Sequence, residues 1–175
     1  MAAREFSKVS PAVWRSKRFL GLSDLGKIGY LYVLSNAHVT SAGVYELPPG
    51  YACSDLDWTA DQFAGVVSEL VQCGLIDHDP EFNVILIERW FKHCPPANGD
   101  HATGTRRRLE QIESARLREK AVVAFDEADA IRVEREAQKA AEKAERDASR
   151  KRAVSELIGS TSSLMNSRIV RGGHA

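Results

Sequence analysis

The segment from residue 59 to residue 87 constrains the fold more than any other part of the chain. Thr59 can cap a helix, and Cys73-Gly74 can end it, because glycine readily adopts the left-handed conformation that follows many helices. The apolar side chains between these points fall on one helical face: Phe63, Val66, Val67, Leu70 and Val71. Two strand-like runs, residues 75–78 and 84–87, follow around a turn. The segment therefore predicts one amphipathic helix and then a β-hairpin.

The residues before this segment complete a recognisable order of elements. Ser23-Asp24 begins an amphipathic helix over residues 24–37, residues 44–47 form a short strand, and residues 50–56 form a short helix. The order of helix, strand, helix, helix and hairpin is that of a winged helix-turn-helix. The predicted fold class is thus mainly α with a small β-hairpin, and the winged-helix domain takes residues 1–94.

The second half of the chain has a different amino-acid composition. Residues 95–104 are rich in proline, asparagine and glycine and predict a linker. Thr105 can cap a long charged helical arm over residues 105–158, whose stretch 134–152 holds no large aliphatic or aromatic side chain. A thin alanine seam in this stretch permits self-association but buries too little for a strong coiled coil. Residues 159–175 are rich in serine and glycine and predict a disordered tail.

The charge of the chain is divided between its two halves. Lys and Arg number 24, as do Asp and Glu, so the formal net charge is +0. Residues 1–100 nevertheless hold 8 basic and 12 acidic side chains, whereas residues 101–175 hold 16 basic and 12 acidic ones. A net charge of zero for the whole chain therefore does not argue against binding to nucleic acid.

Several function classes lack the residues they need. The sequence has no nucleotide-binding glycine motif and no nucleophile motif, so we predict neither an enzyme nor a cofactor. Cys73, His78, His93 and Cys94 do not have the spacing of zinc ligands, so we predict no metal. Three cysteines without a C-x-x-C pair and the lack of an apolar leader or membrane-spanning run favour the cytoplasm.

A winged helix that binds duplex DNA inserts the helix after the turn, here residues 59–73, into the major groove. The span 59–91 carries six acidic side chains and only Arg89, a net charge of −5, so phosphates would repel it. We therefore expect DNA contact mainly through basic residues elsewhere, with Gln62 as a base-reading side chain. The candidate DNA-binding residues are Arg15, Lys17, Arg18, Lys27, Gln62, Arg106, Arg107 and Arg108.

Several segments resemble a known family. Six segments of the chain are similar to segments of phage replication-initiation proteins. They are residues 10–14 (SPAVW), 30–38 (YLYVLSNAH), 42–48 (AGVYELP), 74–77 (GLID), 84–87 (VILI) and 90–96 (WFKHCPP). These replisome organisers have an N-terminal winged helix and resemble primosomal DnaD-type proteins in architecture. The resemblance covers about residues 10–125.

This resemblance implies a function and partners. It predicts a non-enzymatic protein of phage or prophage origin that binds origin DNA and recruits a replicative helicase or a helicase loader. It also implies a homo-oligomer, because the winged helix of DnaD-type proteins serves self-association. Two alternatives stay open from the residues themselves: a winged-helix transcriptional regulator, and a protein-interaction adaptor that binds no nucleic acid.

Overall fold

The computed structural model describes Ser7 and residues 9–169, with side chains described through residue 154. A short 3₁₀ turn, Pro11–Arg15, precedes the helices and strands of this part of the chain. The helices are α1 (Lys17–Leu20), α2 (Asp24–Ser35), α3 (Pro49–Leu56), α4 (Ala60–Gln72), α5 (Trp90–His93), α6 (Gly99–Glu110) and α7 (Ala115–Ile169). The strands are β1 (Val44–Glu46), β2 (Ile76–Asp79) and β3 (Val84–Ile87).

The three strands form one antiparallel sheet in the order β1-β3-β2. Val44 in β1 lies opposite Leu86 in β3, and Ile76 in β2 lies opposite Ile87. Every side chain of β3 is buried, as expected for the central strand of a covered sheet. With α2, α3 and α4, this sheet makes a winged helix-turn-helix, so the predicted fold class is confirmed.

Local capping explains where the main helices begin and end. The hydroxyl of Ser23 accepts a hydrogen bond from the backbone N–H of Gly26 at the start of α2. Thr59 and Gln62 form a reciprocal capping box at the start of α4. Gly74 follows α4 with φ +63°, a conformation that a side chain would strain. The predicted helix and hairpin of residues 59–87 are therefore confirmed to within one or two residues.

The predicted linker over residues 95–104 is wrong for its second half. The side chain of Asn98 caps α6 by accepting a hydrogen bond from the backbone N–H of His101, so the helix already begins at Gly99. Thr105, the predicted cap, lies inside α6, where its hydroxyl is buried and donates to the hydroxyl of Ser41. Asparagine is as good a cap as threonine, and the tertiary contact to Ser41 decided between them.

The predicted helical arm over residues 105–158 is not one continuous helix. The chain turns between Glu110 and Ala115, and the hydroxyl of Ser114 then accepts a hydrogen bond from the N–H of Leu117 at the start of α7. Leu109, Leu117 and Phe125 are fully buried and belong to the same hydrophobic core as the winged helix. The compact first unit therefore extends to Arg132 rather than ending at residue 94.

The second unit begins at Val133 and is helical through Ile169. Residues 133–154 are exposed throughout, as predicted for a solvated helix, and Glu142 pairs with Arg146 at 3.5 Å. The disordered tail predicted over residues 159–175 is wrong through Ile169, because α7 includes those residues. Their leucine, isoleucine and methionine residues are compatible with a helix. Residues 170–175 lie outside the described residues.

Candidate nucleic-acid interface

Helix α4 takes the place of a recognition helix but offers no cation to a phosphate. Its sequence contains no Lys or Arg, and its apolar face packs into the core through Phe63, Val66, Val67 and Leu70. Gln62, predicted to read bases, is engaged in the capping box, where its side-chain oxygen accepts from the backbone N–H of Thr59 at 2.8 Å. Gln72 donates to the hydroxyl of Ser68 on the exposed side. The exposed surface of α4 is thus polar and weakly acidic.

The acidic residue in the second half of α4, Glu69, is half-buried and bonds to the residue that precedes α2. One carboxylate oxygen of Glu69 accepts the backbone N–H of Ser23 at 2.6 Å, and the other accepts its hydroxyl at 2.7 Å. Glu69 therefore ties α4 to the start of α2. Its charge serves the fold, and it does not form part of a surface that faces a partner.

Two carboxylates of the acidic wing, formed by β2 and β3, pair with basic side chains of α7. Arg116 donates to both carboxylate oxygens of Asp77, at 2.9 and 3.0 Å, and also to the carbonyl of His78. Lys120 bridges Asp77 and Glu88, at 2.8 and 2.5 Å. Part of the negative charge that the sequence places on the wing is therefore paired within the same domain, whereas Glu81 in the turn is exposed.

These contacts perturb the ionisation of the wing. Burial alone would raise the pKa of Asp77, but hydrogen bonds and charge from Lys120 and Arg116 outweigh it, and the pKa lies below its ordinary value. The hydroxyl of Ser114, which donates to Asp79 at 2.5 Å, lowers the pKa of that carboxyl. Burial lowers the pKa of His78, which lies between the two aspartates in β2.

Arg116 and Lys120 were not among the predicted functional residues. Their separation of four residues places them on one face of a helix. This spacing, together with the excess of acidic side chains in the hairpin, was the sequence signal that could have indicated their pairing with the wing. Sequence alone could not pair them with the wing, because the contact joins residues about forty positions apart, too far for any local pattern.

The predicted cluster Arg106–Arg108 does not act as a single patch. Arg106 donates to Asp126 at 2.7 Å, and its guanidinium lies over the ring of Phe125 at 4.9 Å. Arg107 is exposed and Arg108 is half-buried. Arg106 therefore helps to hold α6 against α7, whereas Arg107 points its charge to solvent.

The predicted basic residues near the N-terminus divide in a similar way. Lys27 pairs with Asp24 one turn earlier in α2, at 3.2 Å. Arg15, Lys17 and Arg18 are exposed, and among the described residues no salt bridge engages them. Arg18 is held by a hydrogen bond of 2.8 Å from its guanidinium to the carbonyl of Gly74. Arg4 and Lys8, which the sequence groups with them, lie outside the described residues.

A cleft of about 280 Å³ opens beside Arg18, between the N-terminal 3₁₀ turn, α1, α2 and α5. Its floor is apolar and includes Val13, Phe19, Leu34, Leu75 and Ile87. Arg18, Arg89 and Lys92 contribute positive charge to its lining. The sequence did not single out Arg89 and Lys92, because in the chain they adjoin the acidic hairpin and only the fold brings them beside Arg18.

Aromatic side chains stand next to this cleft. Phe19 is fully buried, and Tyr30 is half-buried with its pKa raised by burial, so both have the packing role that core positions predict. Trp14 is different, because 58% of it is exposed. Its ring lies perpendicular to that of Phe19, with 5.1 Å between the ring centres. Trp14 itself does not line the cleft, but it contacts Phe19, which does, and the exposed Arg15 follows it in the chain. Surfaces that bind single strands combine exposed rings with cations.

Taken together, the structure has a winged-helix fold with a cationic cleft that begins just beyond the C-terminal end of α4, at Gly74 and Leu75. No family model matches the chain, and no curated protein and no solved structure matches it either. Within the described part of the chain, no three His, Cys, Asp or Glu side chains come together as metal ligands would. None of the described helices has a stretch long and apolar enough to cross a membrane.

Proposed function

We propose that this protein is a non-enzymatic DNA-binding protein of the replication-initiation type, similar to phage replisome organisers, which works in the cytoplasm of a bacterial host. One observation carries the proposal: a winged-helix domain presents cations that no described carboxylate neutralises at one cleft and in the segment that carries the exposed Trp14. Arg18, Arg89 and Lys92 line the cleft, and the exposed Arg15 and Lys17 precede Arg18 in the chain. Phosphate contacts of this kind supply most of the non-specific affinity of a protein for DNA.

The face that presents these cations favours replication over transcriptional control. A repressor that reads duplex sequence needs bidentate side chains and cations on its recognition helix. Helix α4 has neither Lys nor Arg, and the side-chain amide oxygen of Gln62 caps the helix. A replisome organiser can instead bind DNA with little sequence preference and act through its protein partners.

The partners in the proposal rest on the resemblance of the sequence to replication-initiation proteins. That resemblance implies recruitment of a replicative helicase or its loader, and assembly into a homo-oligomer. The partly paired wing is compatible with such a role, because Arg116 and Lys120 reduce the negative charge that the wing presents to nearby DNA.

The proposal predicts salt-sensitive binding to DNA that depends on the cations around the cleft. Binding to a labelled oligonucleotide, measured by fluorescence anisotropy at salt concentrations from about 25 to about 200 mM, tests it. Combined Arg15→Gln, Lys17→Gln and Lys92→Gln substitutions are expected to weaken binding at least about ten-fold. They should also reduce the slope of log K against log salt by about 0.9 for each phosphate that the variant no longer neutralises.

A matched control removes the same charge from the second unit. Lys139→Gln, Lys143→Gln and Lys151→Gln change three exposed lysines of α7 and should leave the salt slope nearly unchanged. If the wild-type protein binds no DNA at low salt, the adaptor hypothesis replaces the proposal. If the control variant loses binding and the cleft variant does not, the DNA contact lies on the helical second unit.

A further inference from the structure

We infer that the cationic cleft and the neighbouring Trp14 form a site for single-stranded DNA: one unpaired base enters the cleft, an adjacent base stacks on Trp14 at its edge, and the phosphates contact Arg18, Arg89 and Lys92. This inference rests on the proposed function and names the form of DNA that the same site takes. Three observations support it: the size and apolar floor of the cleft, the exposure of Trp14 next to it, and the cations of the lining.

The cleft suits a single base better than a duplex. A volume of about 280 Å³ lies just below the range of pockets that hold drug-sized ligands, about 300–1,000 Å³. The floor is made largely of apolar side chains, which favour the flat face of a ring. In a duplex the faces of the bases are stacked on one another and only their edges and the phosphates can be reached, so the floor would have no partner.

Trp14 is held in place although it is largely exposed. The hydroxyl of Ser10 caps the 3₁₀ turn by accepting from the N–H of Ala12, and the buried ring of Phe19 supports the indole from one side. The turn therefore holds a largely apolar ring in contact with solvent, although burying that ring would be more favourable. Stacking of a base on such a ring needs no sequence preference, because every base has a π-face.

The cations of the cleft lining have no salt bridge among the described residues and can contact a nucleic-acid backbone. Arg18 donates one hydrogen bond, to the carbonyl of Gly74, which leaves other N–H groups of its guanidinium for a phosphate. Arg89 adopts a left-handed backbone conformation with φ +58° at the start of α5, and the exposed Lys92 follows within that helix. Glu88, the carboxylate of the lining, is paired with Lys120.

The test compares a thymidine strand of about 20 nucleotides, long enough to cover a single-strand site, with a blunt hairpin duplex of equal charge at one salt concentration. The wild-type protein is expected to bind the single strand at least about ten-fold more tightly, and Trp14→Ala should remove most of that difference. The Trp14→Phe variant should instead keep most of the preference for the single strand, because a phenylalanine ring also stacks on a base. Tyr51→Ala provides a matched control, since Tyr51 is an equally exposed aromatic residue (55%) in α3.

Tryptophan fluorescence gives a second, independent readout. Binding of the single strand should quench emission in the wild-type protein, and the quenching should be clearly smaller in Trp14→Phe, although that variant still binds. Trp58 is half-buried and lies outside the cleft lining, so it serves as an internal reference, whereas Trp90 lines the cleft and accounts for the quenching that remains.

The outcomes separate this inference from the proposed function. Equal affinity for the single strand and the duplex, unchanged in Trp14→Ala, overturns the inference but leaves DNA binding intact. No binding to either oligonucleotide overturns both. Tighter binding to the matching uridine strand overturns the assignment to DNA, and competition by thymidine monophosphate as strong as by the strand would show that the cleft takes a small anion instead.

Discussion

The wing and the cleft differ in whether their charged side chains are paired within the domain. On the wing, Asp77 and Glu88 form salt bridges with Arg116 and Lys120, and Asp79 accepts from Ser114. Around the cleft, Arg18, Arg89 and Lys92 have no salt-bridge partner among the described residues. The comparison shows that a charged side chain indicates a binding surface only if it is not already paired with another charged side chain within the fold.

The largest expected effect tests whether the first part of α7 belongs to the domain that it neutralises. Phe125 is fully buried and packs against Phe91, with 5.4 Å between the ring centres. Phe125→Ala should lower the free energy of unfolding by about 3–5 kcal/mol, because it leaves a cavity in the shared core. Urea denaturation followed by circular dichroism measures the change.

The neighbouring Val123→Ala provides the control for this change. Val123 lies on the same helix but is 61% exposed, so its truncation should alter the free energy of unfolding by less than about 0.5 kcal/mol. Equal effects of the two substitutions would mean that α7 does not pack on the winged helix, and the wing would then carry unpaired acid.

An intermediate effect is expected when the wing loses its central carboxylate. Asp77 has only 20% of its side chain exposed and accepts from both Arg116 and Lys120. Asp77→Asn should lower the free energy of unfolding by about 1–3 kcal/mol at neutral pH, because hydrogen bonds to charged groups are removed. Glu81→Gln, in the exposed turn of the same hairpin, should have little effect.

The same wing predicts how stability depends on pH. The pKa of Asp77 is lower in the folded than in the unfolded protein, so its contribution is present above about pH 4 and is lost as the pH falls through the folded pKa. The lowered pKa of His78 adds a loss that begins as the pH falls below about 6.5, where the unfolded histidine takes up its proton first. Unfolding free energies at about pH 7.5, 5.5 and 3.5 should show both losses. His78→Gln should remove only the upper one, and a flat profile in the wild-type protein would contradict both assignments.

The smallest effect separates two adjacent arginines. Arg106→Ala removes the ion pair with Asp126 and the contact with the ring of Phe125, so it should lower stability by about 0.5–1 kcal/mol. Arg107→Ala should leave stability unchanged, since Arg107 is exposed and no described side chain pairs with it. Thermal melts of the two variants measure the difference, and equal melting temperatures would show that Arg106 is as free as its neighbour.

The winged helix could be predicted because its signals are local. The caps at Ser23 and Thr59, the glycine after α4 and the helical spacing of apolar residues act within a few positions of one another. The hairpin likewise follows from two short apolar runs around a turn. Such features reflect backbone geometry and nearby hydrogen bonds, so the sequence alone determines them.

The extent of the domain and the position of the cleft depend on distant contacts. Polar composition made residues 99–104 resemble a linker, and sparse apolar residues made 115–132 resemble a free arm, yet Leu109, Leu117 and Phe125 complete the core. The pairing of Arg116 with Asp77 and the meeting of Arg18 with Lys92 join residues that lie far apart in the chain. Only the tertiary structure decided which charges stabilise the fold and which remain for a partner, because that choice depends on which surfaces burial brings together.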